Sequence, residues 1–409
     1  DACKICFANL LSECVFDAVS AQWRIIVKIL FYKWQVFNQS DIKNAFEQAG
    51  CSISFYEEDS ETRKSTDLRL LTDVIKEYDL VFSVNYFSRL SDACMLAKRK
   101  YAAWTVDSPM ISMYHKSVFN PCNYLFIFDK FCYLQFKQMG VKNIFYLPLA
   151  ADAKRIEFLI EQTPDSDLKK FESDISFVGG MYHKNSYDAI YDSLPDYLKG
   201  YFDAAMQAQL DIFGENIFDR LLSVDILQKL SDCVQFQNEP DSFSDLKLIF
   251  TNTFLGFKMA QIERIECLNI LAKNFNVDLY TDKSHDALHN INIRGTVDYN
   301  IDMPKVFNQS KINMNFTIRN IRSGLPLRIW DILAAGGFLL TNFQAEIPYF
   351  FENQKDIVYY ENLYDMQKKA EYYLAHDDER MMIAANGHKK VNEFHSYHQR
   401  IAAILSAIK

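Results

Sequence analysis

The stretch 79–107, "DLVFSVNYFSRLSDACMLAKRKYAAWTVD", decides the fold. Its ends, "DLVFSVN" and "YAAWTVD", are short apolar runs rich in β-branched and aromatic residues, and they read as strands. Between them "LSDACMLAKRK" reads as a helix. Strand, helix and strand in one short span imply two parallel strands joined by a crossover.

The same alternation continues outward in both directions. Upstream, "IIVKILFY" is a strand, "NQSDIKNAFEQAG" a helix stopped by Gly50, "SISFYEED" a strand and "TDLRLLTDVIKEY" a helix. Downstream come the strand "NYLFIFD", the helix "KFCYLQFKQMG" and the strand "IFYLP". Residues 25–160 therefore form one α/β domain, with 1–24 as an amphipathic extension ahead of it. The polar stretch 161–173, "EQTPDSDLKKFES", reads as a linker. Its Asp165-x-Asp167 reads as solvated, because a metal-binding pair of that kind should end a strand. A second alternating block fills 174–395. It starts at "DISFVGG", carries mostly helix through 183–275, and resumes strands at "VDLYTD", "INIRG", "KINMNFT" and "DIVYYE". Residues 396–409 read as a final helix. The fold class is α/β, with two Rossmann-like domains facing a central cleft and C-terminal helices crossing back to the first domain.

Composition bounds the function. A chain of 409 residues exceeds one ordinary core, and 49% apolar residues are enough for two. A net charge of −9 disfavours nucleic acid as a partner, since that binding needs clustered Lys and Arg. Nine cysteines at irregular spacing imply no disulfide framework. They fit a reducing cytoplasm, and the lone Cys3-x-x-Cys6 lacks a second ligand pair for zinc. No apolar run reaches the roughly 18 residues of a membrane span. The first residues, with Asp1, Glu13 and Asp17, do not read as a signal peptide.

Ligands of open parallel sheets bind beyond the carboxyl ends of the strands, so candidate residues follow strands. Gly179 and Gly180 end "DISFVGG", where glycine lets backbone amides approach an anion. The following helix is expected to aim its amides at the same place. After "KINMNFT" come Arg319, Arg322 and "SGLPLRIWDILAAGG". Pro326 suits a helix start, Ser323 can cap it, and Gly336 and Gly337 stop it. Arg328 and Asp331 share one face of that helix. Together they suit a diphosphate and two ribose hydroxyls, or they form an ordinary i,i+3 ion pair. In the first domain Asp107 ends a strand, as a candidate base or a turn cap, followed by Ser108. His115 and, after the first strand, Lys33 and Trp34 complete the candidates.

These residues carry a resemblance. "SGLPLRIWDILAAGGFLLTNFQAEIPYFFENQKDIVYYENLYDMQKKAEYYLAHDDERMMIAANGHKKV" resembles the C-terminal domain of spore-maturation-type bacterial glycosyltransferases, of the wider group-1-like GT-B class. "AAWTVDSPMISMYHKSVFNPCNYLFIFDK" and "NIFYLPLAAD" are similar to the N-terminal domain often joined to it. The resemblance implies a metal-independent enzyme that moves a sugar from a nucleotide-diphosphate sugar, favourably a UDP-sugar, to a glycan or protein hydroxyl. It requires no cofactor and admits a homodimer. It implies that Arg328 meets the diphosphate and Asp331 the ribose. Gly179, Gly180, Ser323 and Gly324 line the donor site, and Val297, within "TVDYN", lies where the base is read. Arg319 joins Arg328 at the leaving group. Asp107 serves the acceptor, with Lys33, Trp34, Ser108 and His115 around it. A nucleotide-sugar epimerase and a non-catalytic nucleotide-sugar or glycan scaffold are the alternatives.

Overall fold

Six parallel strands build the first sheet, and each owes its place to an unbroken apolar run. They are β1 (Lys28–Tyr32), β2 (Ser52–Tyr56), β3 (Leu80–Val84), β4 (Lys100–Trp104), β5 (Asn123–Ile127) and β6 (Ile144–Tyr146), in the spatial order β2-β1-β3-β4-β5-β6. All five residues of β3 are buried. That is the signature of a central parallel strand covered on both faces. The computed structural model describes residues 26–59, 67–234 and 236–409. The 1–24 extension, with Cys3 and Cys6, lies outside the described residues.

A second parallel sheet follows: β7 (Ser173–Val178), β8 (Val277–Tyr280), β9 (Asn292–Ile293), β10 (Ser310–Asn315), β11 (Leu339–Asn342) and β12 (Val358–Tyr360). Its order is β12-β11-β10-β7-β8-β9. Ile175, Phe177, Ile312, Met314, Leu340 and Val358 pack there against Leu268 and Leu271. The α/β class with two Rossmann-like sheets, expected from the sequence, is the observed one.

The chain divides into two units. The first runs to Ala151 and adds Asp241–Phe243 and Phe394–Lys409; the second holds Asp152–Pro240 and Ser244–Glu393. The last helix, Tyr397–Ile408, thus belongs to the first unit. It starts with a capping box between Ser396 and Gln399, and Tyr397 packs edge-on against Trp104 at 6.1 Å. Its Arg400 is 3% exposed and donates to the carbonyls of Pro148 (2.9 Å) and Leu149 (3.2 Å). Burial pushes that guanidinium down to about 10.

The residues between β7 and β8 form a helical insertion with a core of its own, including Tyr187, Leu198, Phe202, Phe218 and Phe250. Its last helix, Gly256–Ala272, returns the chain to the sheet. The stretch read as a linker is largely helical. Ala153–Glu161 precedes it, and Asp165–Leu168 and a 3-10 turn at Lys169–Phe171 lie within it. Pro164 at the cap, with Asp165 and Asp167 in the first turn, favours a helix start over a free loop. Asp167 is bound to Lys170 at 2.5 Å on the surface.

Both orders reverse at one place. In the first sheet this switch lies between β1 and β3; in the second it lies between β7 and β10. The crevice outside the carboxyl ends of those strands is where such sheets take ligands.

Candidate functional site

At the second unit's switch point β7 ends at Val178, and Gly179 and Gly180 follow it. A Cβ on Gly179 would sit 2.8 Å from the ring of Phe177, whereas Gly180 faces open space. The helix expected directly after them is not there. Five residues intervene before Ser186–Ile190, a helix only five residues long. The glycines are followed by Met181–Asn185, a loop in which Tyr182 takes a left-handed φ of 51°.

A side chain supplies what the helix does not. Arg264, on the Gly256–Ala272 helix and 8% exposed, reaches the carboxyl ends of both switch strands. Its guanidinium donates to the carbonyl of Gly180 and, at 3.5 Å, to that of Phe316, just after β10. It is held between the rings of Phe177 and Tyr182, 5.1 and 4.7 Å from their centroids. Its Nε is buried without a partner among the described residues.

The helix predicted from "PLRIWDILAAGG" spans Leu327–Ala334. Ile329, Leu333 and Phe338 are buried as the spacing requires. Gly336, at φ 72°, ends it: its N–H bonds Leu333 and that of Gly337 bonds Ile332, a Schellman closure. The helix tip is half-exposed at Pro326, Leu327 and Arg328, and no side chain caps it. Ser323 does not serve as the cap. Its hydroxyl donates instead to Glu346 at 2.6 Å, because the chain reaches the helix through Pro326, and Gly324 beside it is buried.

Arg328 and Asp331 do share a face, and they are 3.7 Å apart. A quarter of the Arg328 side chain stays exposed. Its guanidinium touches Met303 Sδ and lies 5.3 Å from the centre of the Phe307 ring. Burial lowers its pKa; Asp331 and Tyr299 oppose that shift, and the nearby Arg264 cation adds to it. Arg328 thus feels the charge of Arg264, and Arg264 itself spans the ends of the switch strands. Asp331 accepts from the hydroxyl of Tyr299 at 2.9 Å, which ties the helix to the 296–300 segment. Val297 is half-buried in that segment, where Asp298 accepts from the amides of Asn300 and Ile301.

Arg319 is elsewhere. It is 4% exposed, bonds Glu263 at 3.1 Å and lies over Phe213 at 4.3 Å. Burial raises the Glu263 carboxyl, and Arg319 offsets this. The pair is an internal one, so the expected contact of Arg319 with the leaving group is not supported by its placement.

In the first unit the switch point is bridged by Trp34, whose indole N–H donates to the Val84 carbonyl at 2.7 Å. Lys33 beside it is exposed and paired with Glu57 at 3.0 Å. Asp107, after β4, is exposed as a residue, yet surrounding protein pushes its carboxyl above the ordinary carboxylate value; a bond from Asn85 opposes the shift. Ser108 and His115 both make internal hydrogen bonds. The Ser108 hydroxyl is buried on Asp129 at 2.7 Å, and His115 Nδ1 accepts from the Ser117 amide as a helix cap. Sequence reasoning missed Arg264 and Asn85. Arg264 is hidden in a long apolar helix, and Asn85 looked like the end of a strand.

Comparison with known proteins bears on the second unit above all. Residues 264–406 are glycosyl transferase-like. They match the family model of that description, and Arg264, Val297, Ser323, Gly324, Arg328 and Asp331 all fall inside the match. No curated protein matches the chain. Among solved structures, HepE of Anabaena in complex with UDP and glucose is similar at 11% identity. It covers 93% of this chain and 99% of its own, with a TM-score of 0.54. A glycosyltransferase of Rickettsia africae is similar at 10% identity, over 94% of this chain and 98% of its own, with a TM-score of 0.52. The N-terminal domain of Candida albicans trehalose-6-phosphate phosphatase is similar at 8% identity, over 95% and 98%, with a TM-score of 0.54. At these identities the likeness is one of fold. Among the described residues no helix is long and apolar enough to cross a membrane.

Proposed function

We propose that the protein transfers a sugar from a nucleoside-diphosphate sugar to a hydroxyl of a glycan or protein. The observation that carries this reading is Arg264, fixed across the ends of β7 and β10 with Arg328 nearby. Two cations in one neighbourhood favour an anion of high charge. A diphosphate is such an anion, and planar guanidinium forks suit its oxygens. Asp331 and the 296–300 segment then hold the ribose and the base.

In the reaction the bond from the anomeric carbon to the diphosphate oxygen breaks, and a bond to the acceptor oxygen forms. The acceptor proton passes to Asp107. Charge growing on the departing diphosphate is neutralised by Arg264, Arg328 and the uncapped amides of the Leu327–Ala334 tip. These groups do so without a metal. UDP is the first nucleotide to test, because one similar fold, HepE at a TM-score of 0.52, has been solved with UDP-glucose.

The test is release of UDP from UDP-sugars, with and without an acceptor. Arg328→Ala is expected to slow release by roughly 10²-fold or more. A folded Arg328→Ala protein with near-wild-type turnover would overturn the site. Binding of UDP-sugars with no nucleotide released under any acceptor would favour a scaffold instead. UDP itself should raise the melting temperature by mass action.

A further inference from the structure

Asn85 is an inconspicuous residue at the first unit's strand ends, yet its side chain makes three directed contacts. It follows β3 directly, is fully buried, and holds a left-handed φ of 64°. Asparagine is among the few residues that tolerate that conformation. Its side-chain oxygen accepts from the amides of Val106 (2.8 Å) and Asp107 (3.3 Å). Since that oxygen faces two N–H donors, the amide orientation is settled, and the NH2 must face the other way. There it donates to Asp107 Oδ2 at 2.7 Å.

The backbone of Asn85 is anchored in turn. Its carbonyl accepts from the Ser83 hydroxyl at 2.6 Å. Ser83 is 2.7 Å from the hydroxyl of Tyr101, which accepts from the Phe87 amide at 3.0 Å. Ser83, Asn85 and Tyr101 are each fully buried. A turn cap would need only the bonds to the two amides. The further bond to Oδ2 leaves Asp107 Oδ1 as the oxygen free of Asn85, on a residue that is itself exposed.

We propose that Asn85 is a positioning residue, whose amide fixes the Asp107 carboxylate so that its other oxygen receives the proton of an acceptor hydroxyl. This rests on the reading of Asp107 as the base. A donor bonded to a carboxylate favours the ionised form, so loss of Asn85 should make Asp107 harder to ionise.

The experiment is kcat/KM against pH for UDP release in the presence of acceptor, for wild type, Asn85→Asp and Asn85→Gly. Asn85→Asp replaces the donor by a like charge, whereas Asn85→Gly removes it and keeps the left-handed backbone accessible. Should the first fail to fold, the second still reads the same effect. In both, the acid limb of the profile should move up by about one to two pH units, the scale of one bond to a charged group. Affinity for UDP should stay unchanged. A loss equal at every pH, or an unmoved acid limb, would overturn the positioning role. Asp107→Asn with full turnover would instead remove the base itself, which is a different failure.

Discussion

The two switch points are alike in topology and opposite in chemistry. In the first unit an indole N–H closes the gap between β1 and β3, and an amide holds a carboxylate beside it. In the second a guanidinium closes the gap between β7 and β10, with another nearby. The backbone presents similar strand ends in both places. One side chain crosses each gap: Trp34 from just after β1, and Arg264 from a helix outside its strand pair. A parallel sheet thus supplies a place; on the function proposed above, the residues around it suit a proton in the first unit and an anion in the second.

The sharpest way to break this comparison is Asp107→Asn. Turnover should fall by about 10²–10⁴-fold, the range of general-base catalysis, while UDP affinity is kept. Initial rates and a UDP titration separate the two. Next in size is Arg319→Met, which strands Glu263 in the interior. Unfolding by denaturant should show a loss of about 3–5 kcal/mol, as when one partner of a buried pair is removed. If UDP release by the remaining folded protein also collapsed, Arg319 would have to be restored to the site. Arg264→Gln should slow UDP release by about 10²–10³-fold and weaken UDP binding, an effect Asp107→Asn should not have. Trp34→Phe keeps an aromatic ring but loses the N–H and part of the ring's packing on Phe87. It should cost only about 0.5–1.5 kcal/mol of stability, read as a shift of the unfolding midpoint.

The pH profile sharpens the same contrast. Asp107 acts as a base only when ionised, and its surroundings raise it above the ordinary carboxylate value. Activity should therefore be lost as pH falls through that raised value, at a higher pH than an unperturbed carboxylate would give. On the proposed site, UDP binding rests on guanidinium groups that stay charged and should be flat across the same window. Isothermal titration at several pH values checks this.

Much of the candidate site's local geometry was legible where local rules suffice. The Leu327–Ala334 helix, its glycine stop and the shared face of Arg328 and Asp331 follow from spacing, as does Asp107 at a strand end. Ser323, Ser108 and His115 are each engaged within the protein for a common reason. A hydroxyl or imidazole in a turn bonds the nearest available group, and here those were Glu346, Asp129 and the Ser117 amide. Arg319 resembled Arg328 in sequence, but Glu263, from a distant helix, took it inward.

What the sequence by itself determined is the alternation of apolar runs and helical faces, and with it two parallel sheets, because periodicity is a property of neighbours along the chain. Which strands became the switch pair, and which side chains bridge them, was decided by tertiary structure. Arg264 lies more than eighty residues from Gly180, and Asn85 more than twenty from Asp107. Only packing brings such groups within the three or so ångströms over which a hydrogen bond acts.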